Sequence, residues 1–398
     1  MKNNLDKRKD RILIVTAYTK PINMGGGSNA EAFAGFLNEK GYSAKVLAKT
    51  NAGFFRIKNN KILVRWPNAR VLKVISLFWI FPYSLFLCAR NNYIFFISNH
   101  FPLMPLLLLF SKAIGKKTVF RSSLVGDDDP YCLKTKFSIY SRLSLYSIKK
   151  ADVYHSINPA FTDSYTKVYK TKKKLVEVTQ GVNISRFSYE LKREKEVYCS
   201  EFGINPKAPI ILSVGFLIDR KGYKEMFEIL SRINSNFTYI IVGDYSVNKD
   251  HPLYYLNNEM QRNYATGNSL LKNRIRFLGP VENIEKIYAI SDILLMNSYA
   301  EGTPNALLEA MAMGVVPVVK ELNGVSSYLI KDKFSGIVYK DIVDAKKSII
   351  ELFCSKDELG RMSKEAISSS ERMFSFDKTW DEINSVFQTN RQDVSLIH

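Results

Sequence analysis

The stretch that decides the fold is Ser298-Tyr299-Ala300-Glu301-Gly302-Thr303-Pro304-Asn305-Ala306-Leu307-Leu308-Glu309-Ala310-Met311-Ala312-Met313-Gly314-Val315-Val316-Pro317-Val318-Val319-Lys320. An apolar run of strand length, Ile293–Asn297, leads into it, and Glu301-Gly302 opens a tight loop. Thr303 is placed as a helix N-cap, with Pro304 at the first helical position, where a missing N–H costs nothing. Helix formers run from Asn305 to Met313, and Gly314 supplies the stop. Val315–Val319 is β-branched and continuous, the pattern of a buried parallel strand. A helix N-terminus at the carboxyl end of a strand offers N–H groups and a positive dipole end to an anion. Glu301 and Glu309 flank that terminus. Carboxylates would repel a polyphosphate they touched, so they suit the neutral hydroxyls of a sugar or ribose.

The same residues carry a resemblance. Glu301 and Glu309, with seven residues between them, resemble the Glu-x7-Glu signature of retaining family-4 glycosyltransferases, as do Glu-Gly-Thr-Pro-Asn and Glu-Ala-Met-Ala-Met-Gly around them. In that family the first glutamate sits against the donor sugar and the second contacts the nucleotide ribose. The plainer reading is an ordinary βαβ unit with two solvated glutamates.

Composition bounds the class. At 398 residues, with 46% hydrophobic and 24% charged residues, the chain has the profile of a soluble globular protein long enough for two cores. Cys88, Cys132, Cys199 and Cys354 are scattered without metal-ligand spacing. With no secretory signal in view, they are expected to be reduced thiols in a cytoplasmic protein. The net charge of +19 is unevenly placed: residues 1–180 hold 30 Lys and Arg against 10 Asp and Glu, while residues 181–398 hold 27 against 28. Excess charge of that kind suits nucleic acid or an anionic membrane. No nucleic-acid module accompanies it, so the membrane surface is the expected partner. Val74–Ala89 is short and holds Pro82, and Tyr93–Phe110 is interrupted by Asn99, His100, Pro102 and Pro105. Neither is read as a transmembrane span.

Strands and helices alternate along the chain, which argues for open parallel sheets covered on both faces. After a basic leader, Met1–Asp10, comes a strand at Arg11–Thr16 and then Met24-Gly25-Gly26-Gly27-Ser28 before a helix from Asn29. Further strands are expected at Ser43–Ala48, Lys61–Arg65, Tyr93–Ser98, Thr118–Ser122 and Val153–Ile157. Gly126-Asp127-Asp128-Asp129-Pro130 reads either as a metal-holding Asp-x-Asp or as acidic capping of the next helix. In Tyr131–Lys150, Leu133, Phe137 and Tyr140 are placed on one helical face and Lys134, Arg142, Lys149 and Lys150 elsewhere. It is either a packed helix or a membrane-surface helix, to which Phe137, Tyr140 and Tyr146 would add insertion.

The resemblance extends over much of the chain. Its strong part runs from Pro209 to Tyr339. Gln180-Gly181-Val182-Asn183 through Phe187 resembles the segment leading to the interdomain linker, and the charged run Glu190–Glu196 marks a boundary. Lys221-Gly222 resembles the family's Lys-Gly element, whose lysine binds the donor diphosphate. Where the family has arginine after Gly215, this chain has Phe216, and Arg220 is the candidate to supply that charge. A family histidine expected after Thr118–Ser122 is replaced by Ser122, Ser123 and Leu124, which leaves His100 as the nearest candidate.

The resemblance implies the GT-B fold: two doubly wound, Rossmann-like α/β domains facing across a cleft. An acceptor-binding domain, 1–185, would be rejoined by a C-terminal helix at about 376–398, and a nucleotide-sugar-binding domain would span 186–375. It implies metal-independent, retaining, hexosyltransferase-type transfer from a UDP- or GDP-sugar to an acceptor hydroxyl, with no cofactor and no bound metal. The acceptor would be a saccharide or lipid-linked saccharide of capsule, O-antigen or exopolysaccharide assembly, handled by a peripheral protein at the inner face of the cell membrane. Glu301, Lys221 and His100 would be catalytic. Gly26, Gly27, Gly215, Arg220, Gly302, Thr303, Pro304, Asn305 and Glu309 would bind the donor, and Asp127 and Ser123 the acceptor. A non-catalytic sugar-nucleotide-binding protein and a nucleotide-sugar epimerase of the same fold are the alternatives.

Overall fold

The computed structural model describes residues 10–19, 25–50, 55–58, 60–67 and 70–395. The leader before Asp10 and Met24 of the glycine cluster lie outside them. The chain forms two compact units. One comprises Met1–Ile157, Phe161–Val178 and Trp380–His398, and the other Asn158–Ala160 and Thr179–Thr379.

The first unit opens with β1 (Arg11–Tyr18), α1 (Gly25–Glu39), β2 (Ser43–Thr50), β3 (Phe55–Lys58), β4 (Lys61–Arg65) and α2 (Arg70–Arg90). It continues through β5 (Tyr93–Ile97), α3 (Met104–Ala113), β6 (Lys117–Arg121), α4 (Pro130–Thr135), α5 (Ile139–Lys150), β7 (Val153–Ser156), α6 (Pro159–Tyr169) and β8 (Leu175–Glu177). Its sheet has the order β3-β4-β2-β1-β5-β6-β7-β8 and is parallel except for β3, an antiparallel edge strand that the sequence reading does not anticipate. Ile80 and Leu87 of α2, Leu107 and Leu108 of α3, Ile148 of α5 and Phe161 of α6 join Leu13, Phe96 and Phe120 of the strands in one core. Aromatic side chains from β5 and α1, Tyr93, Phe95 and Phe33, meet Trp380.

The second unit runs α7 (Lys195–Glu201), β9 (Ile210–Val214), α8 (Tyr223–Ser231), β10 (Thr238–Val242), α9 (Asn257–Leu271), β11 (Ile275–Gly279) and α10 (Ile284–Ile290). Then come β12 (Ile293–Met296), α11 (Asn305–Ala312), β13 (Val316–Lys320), α12 (Ser326–Leu329), β14 (Ile337–Tyr339), α13 (Ile342–Cys354) and α14 (Lys356–Met373), followed by α15 (Phe376–Ser395), which from Trp380 onward belongs to the first unit. The sheet order is β11-β10-β9-β12-β13-β14, all parallel. Both units are therefore the doubly wound α/β sheets expected. Their central strands are buried on both faces, as continuous apolar runs such as Ile293–Met296 require.

Local expectations are corrected in three places. Pro304, not Thr303, is the N-cap of α11, so the helix starts one residue later. The glycine cluster is not a loop before a helix at Asn29: α1 starts at Gly25 and takes Gly26 and Gly27 into its first turn. Tyr131–Lys150 is not one amphipathic helix, because Lys136–Ser138 separates α4 from α5. Ser138 there turns its hydroxyl to the Ser141 N–H as an N-cap. Phe137 falls in that break, 94% exposed, while Leu133 is buried, so the two share no face.

Candidate active site

Strand order, more than sequence spacing, assembles the site of the second unit. The sheet reverses its winding between β9 and β12, which pair through Ile211–Ile293 and Leu212–Leu294. Loops leaving the carboxyl ends of strands at such a switch point form a binding crevice. Here those loops are Gly215–Gly222 and Asn297–Pro304. They meet: Lys221 Nζ donates to Glu301 Oε1 at 2.6 Å, and Arg220 Nη1 lies 3.5 Å from the same oxygen. Arg220 also donates to the Ala300 carbonyl at 2.5 Å and accepts the Tyr299 N–H through its own carbonyl. Arg220 thus reaches the glutamate that its sequence neighbour binds.

Two glycines permit this meeting. Gly222 adopts φ +67°, and a Cβ there would fall 2.3 Å from the Asn297 carbonyl oxygen. Gly215, at φ +142°, passes the Lys221 aliphatic stem, with a Cβ site 3.1 Å from Lys221 Cε. Phe216, where the resemblance calls for arginine, is half-buried in the core and lies 5.9 Å from the His251 ring. The sheet core holds it as an apolar residue.

Glu301 is a buried carboxylate with two cations. Burial pushes its carboxyl up, and Lys221 and then Arg220 pull it further the other way, leaving it below the ordinary 4.5. Glu309, in the second turn of α11, has a different partner: the buried Tyr288 hydroxyl donates to its Oε2 at 2.8 Å. Burial, followed by the neighbouring Glu309 charge, raises the Tyr288 hydroxyl well above its ordinary range, so it stays a donor. Around α11, Gly302, Thr303 and Pro304 are buried and Asn305 half-buried. Side chains hold this loop: Asn158 Nδ2 donates to the Gly302 carbonyl at 2.9 Å, and Gln180 Nε2 to the Thr303 carbonyl at 2.8 Å and to Asn305 Oδ1. Sequence reasoning missed the roles of Asn158 and Tyr288. Gln180 it met only as part of a resembling segment, since nothing local marks an amide that bonds a loop more than a hundred residues away.

In the first unit the switch point lies between β1 and β5. Gly26, Gly27 and His100 stand at the carboxyl ends of those strands. A Cβ on Gly27 would sit 1.7 Å from the Tyr18 carbonyl oxygen, and one on Gly26 3.8 Å from Ile97 Cγ2. His100 Nδ1 is 2.5 Å from Ser98 Oγ, and its Nε2 is 3.4 Å from Asp127 Oδ2. Its backbone carbonyl accepts from buried Lys49 at 2.8 Å, and burial with Lys73 nearby lowers the Lys49 ammonium to about 8. A 350 Å³ cavity is lined by Lys49, Trp66, Asn99, His100, Phe101 and Tyr140, among others. The aspartates diverge. Asp127 faces His100 and Lys136, Asp128 accepts the Ser123 and Leu124 N–H groups and the Ser123 hydroxyl, and Asp129 caps α4. Among the described residues, no three His, Cys, Asp or Glu side chains converge as a metal site. Ser123 is already committed to Asp128.

The fold is that of the GT-B glycosyltransferases. Among solved structures, a glycosyltransferase from Rickettsia africae superposes with a TM-score of 0.68 at 18% identity, covering 96% of this chain and 99% of its own. Anabaena Alr3699/HepE in complex with UDP and glucose gives 0.70 at 13% identity, covering 97% and 99%. Residues 194–369 match the model of the family described as Glycosyl transferases group 1. A UDP-Gal:alpha-D-GlcNAc-diphosphoundecaprenol alpha-1,3-galactosyltransferase of Escherichia coli is 26% identical over 227 residues, which is 55% of each chain. An N,N'-diacetylbacillosaminyl-diphospho-undecaprenol alpha-1,3-N-acetylgalactosaminyltransferase of Campylobacter jejuni is 27% identical over 158 residues, 39% of this chain and 38% of that one. The chain thus spans about half or less of the length of these two relatives.

Proposed function

We propose that the chain transfers a sugar from a nucleotide-sugar to an acceptor hydroxyl with retention of anomeric configuration. The observation that carries this reading is the meeting of Lys221, Arg220 and Glu301 at the switch point, immediately before α11. Lys221, Arg220 and the first-turn N–H groups of α11 would spread the charge developing on the departing diphosphate. Glu301 would accept from a donor-sugar hydroxyl, and Glu309 from the ribose diol. The bond from the anomeric carbon to phosphate oxygen breaks as the acceptor oxygen bonds the same face. The acceptor proton passes to the departing phosphate oxygen, so no protein base is required. His100, held between Ser98 and Asp127, is the catalytic candidate of the first unit. With two protein cations at the leaving group, the reaction should proceed without a divalent metal.

The names of the two relatives support a lipid-linked saccharide as acceptor. Such an acceptor would call for a peripheral protein at the inner face of the membrane. The test is a screen of UDP- and GDP-sugars in EDTA, following release of nucleoside diphosphate and reading the product anomer by NMR. A pure binding protein would shift in melting temperature with a nucleotide-sugar yet release no diphosphate. An epimerase would convert the donor without any acceptor. Strong EDTA inhibition would overturn the metal-independent reading.

A further inference from the structure

We infer that the outward face of α2 is the surface by which the chain rests on an anionic lipid bilayer, with the helix lying in the interface plane and not crossing it. This rests on the peripheral-membrane reading above and names the element responsible. Ile80, Ser84, Leu87 and Cys88 form one stripe of α2, buried against the first unit. On the opposite side Leu72, Ile75, Phe78, Trp79 and Phe86 are exposed, Phe78 by 75% and Trp79 by 78%. A helix apolar on both faces with one face in water is an unsatisfied surface. Leu72–Arg90 is long and apolar enough to span a membrane by composition alone. Its inner stripe argues against spanning, because leaving the core would strip Ile80, Leu87 and Cys88 of their packing.

Charge selects the occupant. From Lys40 to Arg121 the sequence holds 14 Lys and Arg, and no Asp or Glu occurs between Glu39 and Asp127. At the end of α2, Arg90 lies over the Phe86 ring at 5.3 Å. An aromatic and aliphatic face within a purely cationic stretch matches the acyl boundary beneath anionic headgroups. A second copy of this chain would set the same positive charge against itself. The segment Tyr131–Lys150, for which the sequence left a packed helix and a membrane-surface helix both open, is broken between α4 and α5, and α3 packs against both α2 and α5. It adds charge beside α2 without supplying a continuous apolar face.

The test uses the full chain with phosphatidylcholine vesicles, with and without phosphatidylglycerol. Wild type should co-sediment only with the anionic vesicles, and Phe78→Glu/Trp79→Glu should lower the partition coefficient by roughly tenfold or more. Phe137→Ser/Ile139→Ser, altering exposed residues outside α2, should stay within about threefold of wild type. Because glutamates on α2 could disturb folding, wild-type tryptophan emission gives an independent arm. It should shift to the blue and be quenched by shallow brominated lipid, and Trp79→Phe should abolish both responses while the protein still binds. If wild type binds while its emission is unmoved and the α2 double variant binds equally, the α2 face is overturned and the membrane reading survives. If wild type ignores anionic vesicles at low salt, both fall. A wild-type dimer that the α2 variant dissolves, with vesicle binding unchanged, would assign the face to a second copy and overturn the proposal.

Discussion

Removing the Lys221 ammonium would leave the Glu301 carboxylate buried, with Arg220 at 3.5 Å as its nearest remaining cation. Lys221→Ala should therefore cost about 3–5 kcal/mol of stability, the range for breaking a buried pair. Turnover should fall by roughly 10²–10³ if the lysine also stabilises the leaving group. Denaturant titration and steady-state kinetics in EDTA check the two effects separately. The sign of the pH dependence follows from the depressed Glu301 carboxyl. Its contribution is present above its ordinary 4.5 and is lost as pH falls through the lower folded value. In Lys221→Ala the same carboxyl should titrate higher, and acid unfolding should begin at a higher pH than in wild type. Glu309→Gln keeps an oxygen to accept from Tyr288, so the fold should hold while nucleoside diphosphate binding weakens by ~1–3 kcal/mol. An unchanged Kd in titration calorimetry would remove Glu309 from the site.

At the scale of elements, the loop into α11 is only as well placed as the amides that hold it. Gln180→Ala deletes the donor to the Thr303 carbonyl and to Asn305. It should cost ~1–3 kcal/mol for the unsatisfied buried acceptor. It should also reduce kcat/KM, although no charged residue has been touched; a variant with lowered melting temperature and wild-type kcat/KM would make Gln180 purely structural. The contact of α1 with β1 is equally specific. Gly27→Ala places a methyl 1.7 Å from the Tyr18 carbonyl oxygen, so the first turn of α1 must move. The expected loss is ~1–3 kcal/mol, read from the urea midpoint.

Across the whole molecule, the chain's last described helix completes the first unit. From Trp380 onward α15 belongs with residues that precede it by hundreds of positions. Trp380 meets Phe33, Tyr42, Tyr93 and Phe95, and Phe387 meets Tyr93. Trp380→Ala should destabilise the protein by about 3–5 kcal/mol, as large-to-small core changes do. A fragment ending at Val178 lacks this packing and should unfold without the cooperative transition of the full chain, as followed by circular dichroism in urea.

What the sequence determined by itself is periodic or local. Continuous β-branched runs announced the parallel strands, Gly314 ended α11 within a residue of its expected place, and the spacing of Glu301 and Glu309 set one glutamate before that helix and one inside it. Lys221-Gly222 was legible as a motif. Only the tertiary structure decided what those residues touch. Lys221 and Glu301 stand 80 positions apart, and their contact exists because β9 and β12 are neighbours at the point where the sheet reverses, an ordering that no local pattern encodes. The same holds for Tyr288 beneath Glu309, Asn158 and Gln180 behind the α11 loop, and Arg220 beside Glu301. Hydrophobic periodicity reports which face of an element is buried. It does not report which element buries it, and a polar side chain's partner is fixed only when that packing is complete.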